Sequence, residues 1–330
     1  MKTERESNLF MLLFLVYEFA ASLLVDAITV ALGVTGTLPR VALLQTATFL
    51  VPCVVLLVMR RVPWRELFPL RRIGWKNVFF IIVLMLCAQP VMMFLSGLSA
   101  MVFGNEVSEA VVDMMQTGGL GATVLVVGLF PAILEEAVFR GVVLSGYKNV
   151  GIWTAAVVNG IFFGIMHLNI QQFLYAYCMG MLFALMVRYT RSLLASMLAH
   201  GAVNVTQTLL AFSASSAMTA AAEMQSAEME TLETLAPEVA LEMQATLQWL
   251  ESNAALVGVL LMLGLSLFAV PMFVLAFRAF ARHNTARNAA AELPAEAETE
   301  AAPAPKPFNW SFWCVAAMYV LYVLAVMILF

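Results

Sequence analysis

Three short patterns carry most of the residues in this chain that could do chemistry. The first is Leu134-Glu135-Glu136-Ala137-Val138-Phe139-Arg140. Glu136 and Arg140 stand four apart, share a helix face and can neutralise each other. Glu135 is rotated by about 100° from Glu136 and is not obliged to join that pair, which leaves it as a candidate general base. The plainer account makes all three residues an assembly salt bridge. The second pattern is Asn159, Phe163 and His167, spaced by four on one helix face, with Gly160 and Gly164 beside them. That small-residue spacing lets a neighbouring helix approach closely. The third is His200-Gly201-Ala202-Val203-Asn204, where His200 and Asn204 are again four apart and Thr208 lies one turn further. For either histidine, the plainer account is a helix–helix hydrogen bond.

Two chemistries fit these groups. In one, Glu135 and His167 bind and deprotonate a water that attacks a peptide carbonyl, while His200 and Asn204 donate hydrogen bonds to the oxyanion. In the other, Glu135, His167 and His200 hold a zinc ion with one open position. The chain has no His-Glu-x-x-His, which excludes a zincin helix as the source of such a site. Neither chemistry needs a serine or cysteine nucleophile, and there is no Gly-x-Ser-x-Gly.

The elements that must position these residues follow from composition. Of 330 residues, 62% are hydrophobic and 12% charged, against about 45–50% apolar and about 25% charged in ordinary soluble domains. This excludes a soluble or disordered protein and predicts an all-α, polytopic transmembrane helical bundle of about 8–9 spans. The net charge is −4 and the basic residues border apolar runs, so nucleic acid is not an expected partner. The four cysteines are scattered, and no CxxC pair suggests a disulfide framework or thiolate metal site.

Nine apolar runs are long enough to be read as spans: 8–33, 41–59, 78–100, 122–147, 152–168, 172–188, 192–213, 253–277 and 312–330. With the N-terminus inside, fifteen basic residues fall in inner segments, one (Arg40) in an outer segment, and Arg140 within a span. The positive-inside rule then places the N-terminus in the cytoplasm and, with nine spans, the C-terminus outside. On a rise of about 1.5 Å per residue, Glu135, His167 and His200 lie roughly 20, 24 and 14 Å from the inner boundary, depths that overlap near mid-bilayer.

Residues 1–119 read as N-terminal spans with an inner amphipathic basic segment, Arg60–Lys76, carrying Trp64 and Trp75. Residues 120–213 read as the catalytic core. Residues 214–252, rich in Ala, Met and Glu without Lys or Arg, read as an outer helical segment. Residues 253–330 read as C-terminal spans joined by a flexible inner linker, 283–308. Glu18 and Asp26 on one face of the first span, with Gln89 in the third, raise a rival transporter reading.

The three patterns, in order on successive apolar segments, resemble the CPBP family of CAAX proteases and bacteriocin-processing intramembrane endopeptidases. They match as Glu135-Glu136-x-x-x-Arg140, Phe163-x-x-x-His167 and His200-x-x-x-Asn204, and the resemblance covers about residues 120–210. It implies an integral protein of the bacterial plasma membrane that hydrolyses a peptide bond in a membrane-associated protein or peptide. It also implies that Glu135 and His167 activate water, His200 and Asn204 form the oxyanion site, and Glu136, Arg140 and Phe163 support them. A metal-free mechanism is the favoured expectation, with zinc the alternative. A non-catalytic scaffold or bacteriocin-immunity protein that retains the motif is the rival.

Overall fold

The computed structural model describes residues 1, 3–61, 63–104, 106–291 and 304–329. Every regular element among them is helical. Among the described residues, a short helix Glu106–Gly118 joins nine larger elements: α1 (Glu4–Ala31), α2 (Thr37–Arg60), α3 (Trp75–Phe103), α4 (Leu120–Tyr147), α5 (Ile152–Ile165), α6 (Ile170–Thr190), α7 (Leu193–Leu235), α8 (Pro237–Ala291) and α9 (Trp310–Leu329). Eight are long and apolar enough to cross a bilayer; the exception is α5. The run expected at 152–168 is helical only to Ile165, 14 residues. At about 21 Å it is shorter than the roughly 30 Å hydrocarbon layer and does not cross it by itself.

Prolines shape two of the spans. Pro131 in α4 has no N–H to give the carbonyl of Val127 four residues earlier, and the turn before it, Val124–Leu129, widens to a π-helix. Pro52 in α2 is likewise preceded by a π turn at Thr46–Leu50. A third π turn, Ala137–Val143, carries Arg140.

The helices α5 and α6 form a tight hairpin. Leu168 makes the turn at φ 46°, a left-handed conformation that a leucine holds only under tertiary restraint. The Asn169 side chain then caps α6 by accepting the N–H groups of Gln171 (2.8 Å) and Gln172 (3.3 Å). A Cβ on Gly160 would meet the Tyr177 carbonyl at 2.7 Å, and one on Gly180 would meet Phe163 Cβ at 2.7 Å. The expected close approach therefore does run through glycines, and α6 contributes one of its own.

One apolar core joins α1, α4, α5, α6 and α9, and a second fills the space between α3, α6, α7 and α8. Of the stretch Arg60–Lys76, only Trp64–Leu67 forms a separate helix. The segment that follows is a strap: Pro69 O accepts the Leu193 N–H at 2.9 Å, and Arg71 O accepts the Ser192 hydroxyl at 2.6 Å. Phe68 fills the space left by Gly141. Trp64 and Trp75 are exposed, as interfacial aromatic residues are.

Helix α7 has 43 residues and α8 has 55, lengths of about 64 and 82 Å. Both exceed the bilayer, and the expected helical segment 214–252 is the pair of extensions that meet near Ala236. Residues 283–291, expected as the start of a flexible linker, instead continue α8. Asn284 exchanges two amide hydrogen bonds with the buried Asn77 (2.7 and 3.0 Å), and Arg287 donates to the Ile73 carbonyl (3.1 Å), so this end of α8 is held to α3 and the strap. Linker residues 292–303 lie outside the described residues.

Candidate active site

The site is built around the ring of Phe163. The Arg140 guanidinium lies 4.4 Å from its centroid, His167 packs against it at 5.0 Å and His200 at 5.8 Å, both edge-on. Phe139 and Phe183 complete an aromatic box about the arginine. One ring thus gathers residues from all three sequence patterns. It can do so because Gly180 leaves room for its Cβ.

Glu136 is fully buried, as an isolated carboxylate in a membrane is not. Its Oε1 accepts from Arg140 at 2.9 Å and from His200 Nδ1 at 2.9 Å. Arg140 also donates to the Gly180 carbonyl at 2.9 Å. The expected i,i+4 pair therefore exists, and His200 joins it from α7.

Glu135 faces elsewhere. It is partly buried and makes no hydrogen bond or ion pair among the described residues. Within electrostatic reach of it lie His167, Tyr175, Arg140 and Glu18. His167 follows the end of α5, and its Nδ1 lies 2.7 Å from the Phe163 carbonyl. A carbonyl only accepts, so Nδ1 carries the proton. In the neutral ring, Nε2 then holds the free lone pair.

Asn204 has an unexpected partner. Its Nδ2 donates to the Val127 carbonyl at 3.1 Å, the acceptor that Pro131 leaves without its helical donor. One of the two amide protons remains available. Asn159 plays a comparable part, donating to the Phe139 carbonyl at 2.9 Å.

The zinc alternative finds no support in the donor geometry. Among the described residues no three His, Cys, Asp or Glu side chains are grouped as a ligand set, although the Nδ1 contacts of His167 and His200 leave Nε2 of each ring open. The transporter residues are also separated. Asp26 pairs with Arg40 at 2.7 Å in an exposed position, and Gln89 donates to the Val203 carbonyl at 3.4 Å, away from Glu18.

Four contributors were missed by reading the sequence: Gly180, Phe183, Tyr175 and, as a neighbour of Glu135, Glu18. Gly180, Phe183 and Tyr175 lie on α6, which has no ionisable residue before Arg188 apart from tyrosines and Cys178. Pattern alone gives them no signal.

Residues 117–206 match the family described as Type II CAAX prenyl endopeptidase Rce1-like. A Bacillus subtilis (strain 168) protein named "Putative membrane peptidase YdiL" is 27% identical over 101 residues, which is 30% of this chain and 41% of that protein. The match thus spans less than half the length of this curated relative. No solved structure matches. The matched region includes α4 to His200 and Asn204, the same helices that converge on Phe163, and over this region the chain is similar to CAAX-type membrane endopeptidases.

Proposed function

We propose that this protein is an intramembrane endopeptidase that hydrolyses a peptide bond of a membrane-associated protein or peptide with a water activated by Glu135 and His167. The observation that carries the reading is the pairing of an uncommitted carboxylate with an oriented imidazole. Glu135 has no bound cation, and His167 keeps Nε2 free because the Phe163 carbonyl fixes its other nitrogen.

The reaction runs as a general-base hydrolysis. Glu135 takes a proton from the water, and His167 Nε2 accepts the other water hydrogen as a hydrogen bond. The water oxygen bonds to the carbonyl carbon, and the carbonyl π electrons move onto oxygen. Collapse of this intermediate breaks the C–N bond, and the proton held by Glu135 passes to the leaving nitrogen.

Oxyanion stabilisation requires a protonated His200. Nδ1–H is directed at Glu136, so Nε2 donates only when the ring is an imidazolium. Glu136 also orients the His200 ring through Nδ1, a role distinct from charge balance with Arg140. The second amide proton of Asn204 is the other donor.

The non-catalytic scaffold reading rests on a specific feature too: Glu136, Arg140, His200 and Asn204 all have partners that account for them as packing elements. Only Glu135 is left without such an account, so it is the residue to test. The experiment compares new protein termini in the membrane proteome of source cells carrying wild type or Glu135→Gln at matched levels. Termini confined to wild type support the protease. Identical sets, with a phenotype on deletion of the whole protein, support the scaffold.

A further inference from the structure

Glu18 has no assigned part in this chemistry, yet it sits within a span where an ionisable group is costly. Its position is fixed by contacts between α1 and α2. The rings of Phe14 and Phe49 lie 5.8 Å apart, Tyr17 donates to the Ala47 carbonyl at 2.8 Å, and Asp26 meets Arg40 at 2.7 Å. In this antiparallel register Glu18 comes level with Gln45–Thr48. That stretch includes the π turn of α2, which packs on Phe130–Glu136 of α4.

Three buried side-chain atoms in this layer have no hydrogen-bond partner among the described residues: Glu18 Oε2, Gln45 Oε1 and Thr48 Oγ1. Glu135 belongs to the Phe130–Glu136 stretch of α4 on which this turn packs. The Glu18 and Gln45 oxygens act as acceptors, and the Thr48 hydroxyl can both donate and accept. Exchanging the Gln45 amide ends would add donors from one side chain only. Buried acceptors left without donors are strongly unfavourable. Water brings two donors per molecule and fits a polar recess with several partners.

We propose that Glu18, Gln45 and Thr48 line a water-holding recess beside Glu135, from which the hydrolytic water is supplied, with Glu18 as a positioning residue that acts through that water. The use of the water rests on the protease reading; the recess itself does not. It gives a protein that works inside lipid a local store of its second substrate. It also draws α1 and α2, outside the segment that matches the family, into the site.

The test uses the full chain in lipid nanodiscs with Cys53, Cys87, Cys178 and Cys314 replaced. Single cysteines are placed by Glu18→Cys, Gln45→Cys and Thr48→Cys. Silver ion, a water-borne probe close to water in size, is scored by the loss of later maleimide labelling in detergent. All three are expected to react at rates approaching that of Leu32→Cys in the exposed outer turn, while Phe14→Cys in the packed core stays unreacted. Failure of the three positions to react overturns the recess. A second measurement compares Glu18→Leu with Glu18→Gln in the termini experiment, at matched protein level and thermal stability. Misplacing the water is expected to lower cleavage about a hundredfold in the leucine variant, and glutamine, which keeps hydrogen-bonding atoms, is expected to restore most of it. Wild-type cleavage by Glu18→Leu overturns the positioning role. If Glu135→Gln abolishes cleavage while the three cysteines stay silent, the protease stands and the recess falls. If the cysteines react but Glu135→Gln cleaves as wild type, the recess stands and the protease falls.

Discussion

Glu136 has two partners at 2.9 Å and no exposed surface, whereas Glu135, one residue earlier on α4, has no hydrogen-bonded partner and retains some exposure. A turn of about 100° along the helix separates these two surroundings. On the Glu136 side, an arginine, a histidine and three aromatic rings form a closed unit in which every charge is answered. On the Glu135 side, His167, Tyr175 and Glu18 lie within electrostatic reach of a carboxylate that has no hydrogen-bonded partner among the described residues. The difference suggests a division of labour in which the closed side holds the helices in register and the open side is left reactive.

The sharpest way to break this comparison is to neutralise each carboxylate in turn. Glu135→Gln is expected to lower cleavage by about 10²–10⁴-fold, the usual contribution of a general base. Its thermal unfolding should stay within about 0.5 kcal/mol of wild type, because no partner is lost. A large loss of stability in this variant would make Glu135 a structural group after all.

Glu136→Gln should do the opposite first. It leaves the Arg140 charge buried without its anion, a loss of about 3–5 kcal/mol. Thermal unfolding of the purified protein in nanodiscs reads this directly. A variant as stable as wild type would mean that the closed side contributes little to the fold.

Gly180→Ala probes how the closed side is assembled. The added methyl meets Phe163 Cβ at 2.7 Å and Gly160 Cα at 3.0 Å. Overpacking of this kind costs about 1–3 kcal/mol. By moving Phe163 it should also disturb His167, so cleavage is expected to fall along with the unfolding temperature. Stability loss with cleavage unchanged would uncouple the two sides.

Asp26→Asn supplies the small effect against which the others are judged. The Asp26–Arg40 pair is exposed on both partners, and solvent screening leaves such pairs little part in stability. The unfolding temperature should barely move, with cleavage unaltered. A dependence of solute flux on Asp26 would instead revive the transporter reading.

The fold class and the i,i+4 pair of Glu136 and Arg140 were legible in the sequence, because long apolar runs and helical periodicity are local properties of the chain. Rise per residue is nearly constant and put Glu135, His167 and His200 at overlapping depths; in the structure the two histidines both pack on Phe163. Local pattern did not show that α5 stops short at Ile165, that the strap after Leu67 is not helical, or that residues 283–291 continue a helix. Each depends on contacts with distant segments, such as Asn77 against Asn284 or Ser192 against Arg71.

The sequence by itself determined which residues could carry charge inside the membrane and the helical face on which each would lie. The tertiary structure alone decided which of them would be neutralised. His200 answers Glu136 across 64 residues, Asn204 answers a carbonyl freed by Pro131 across 77 residues of chain, and Glu135 is answered by neither. Partner choice at such separations is set by helix packing around Phe163 and Gly180, which brings some donors within hydrogen-bond reach and leaves one carboxylate open. No periodicity along the chain encodes that choice.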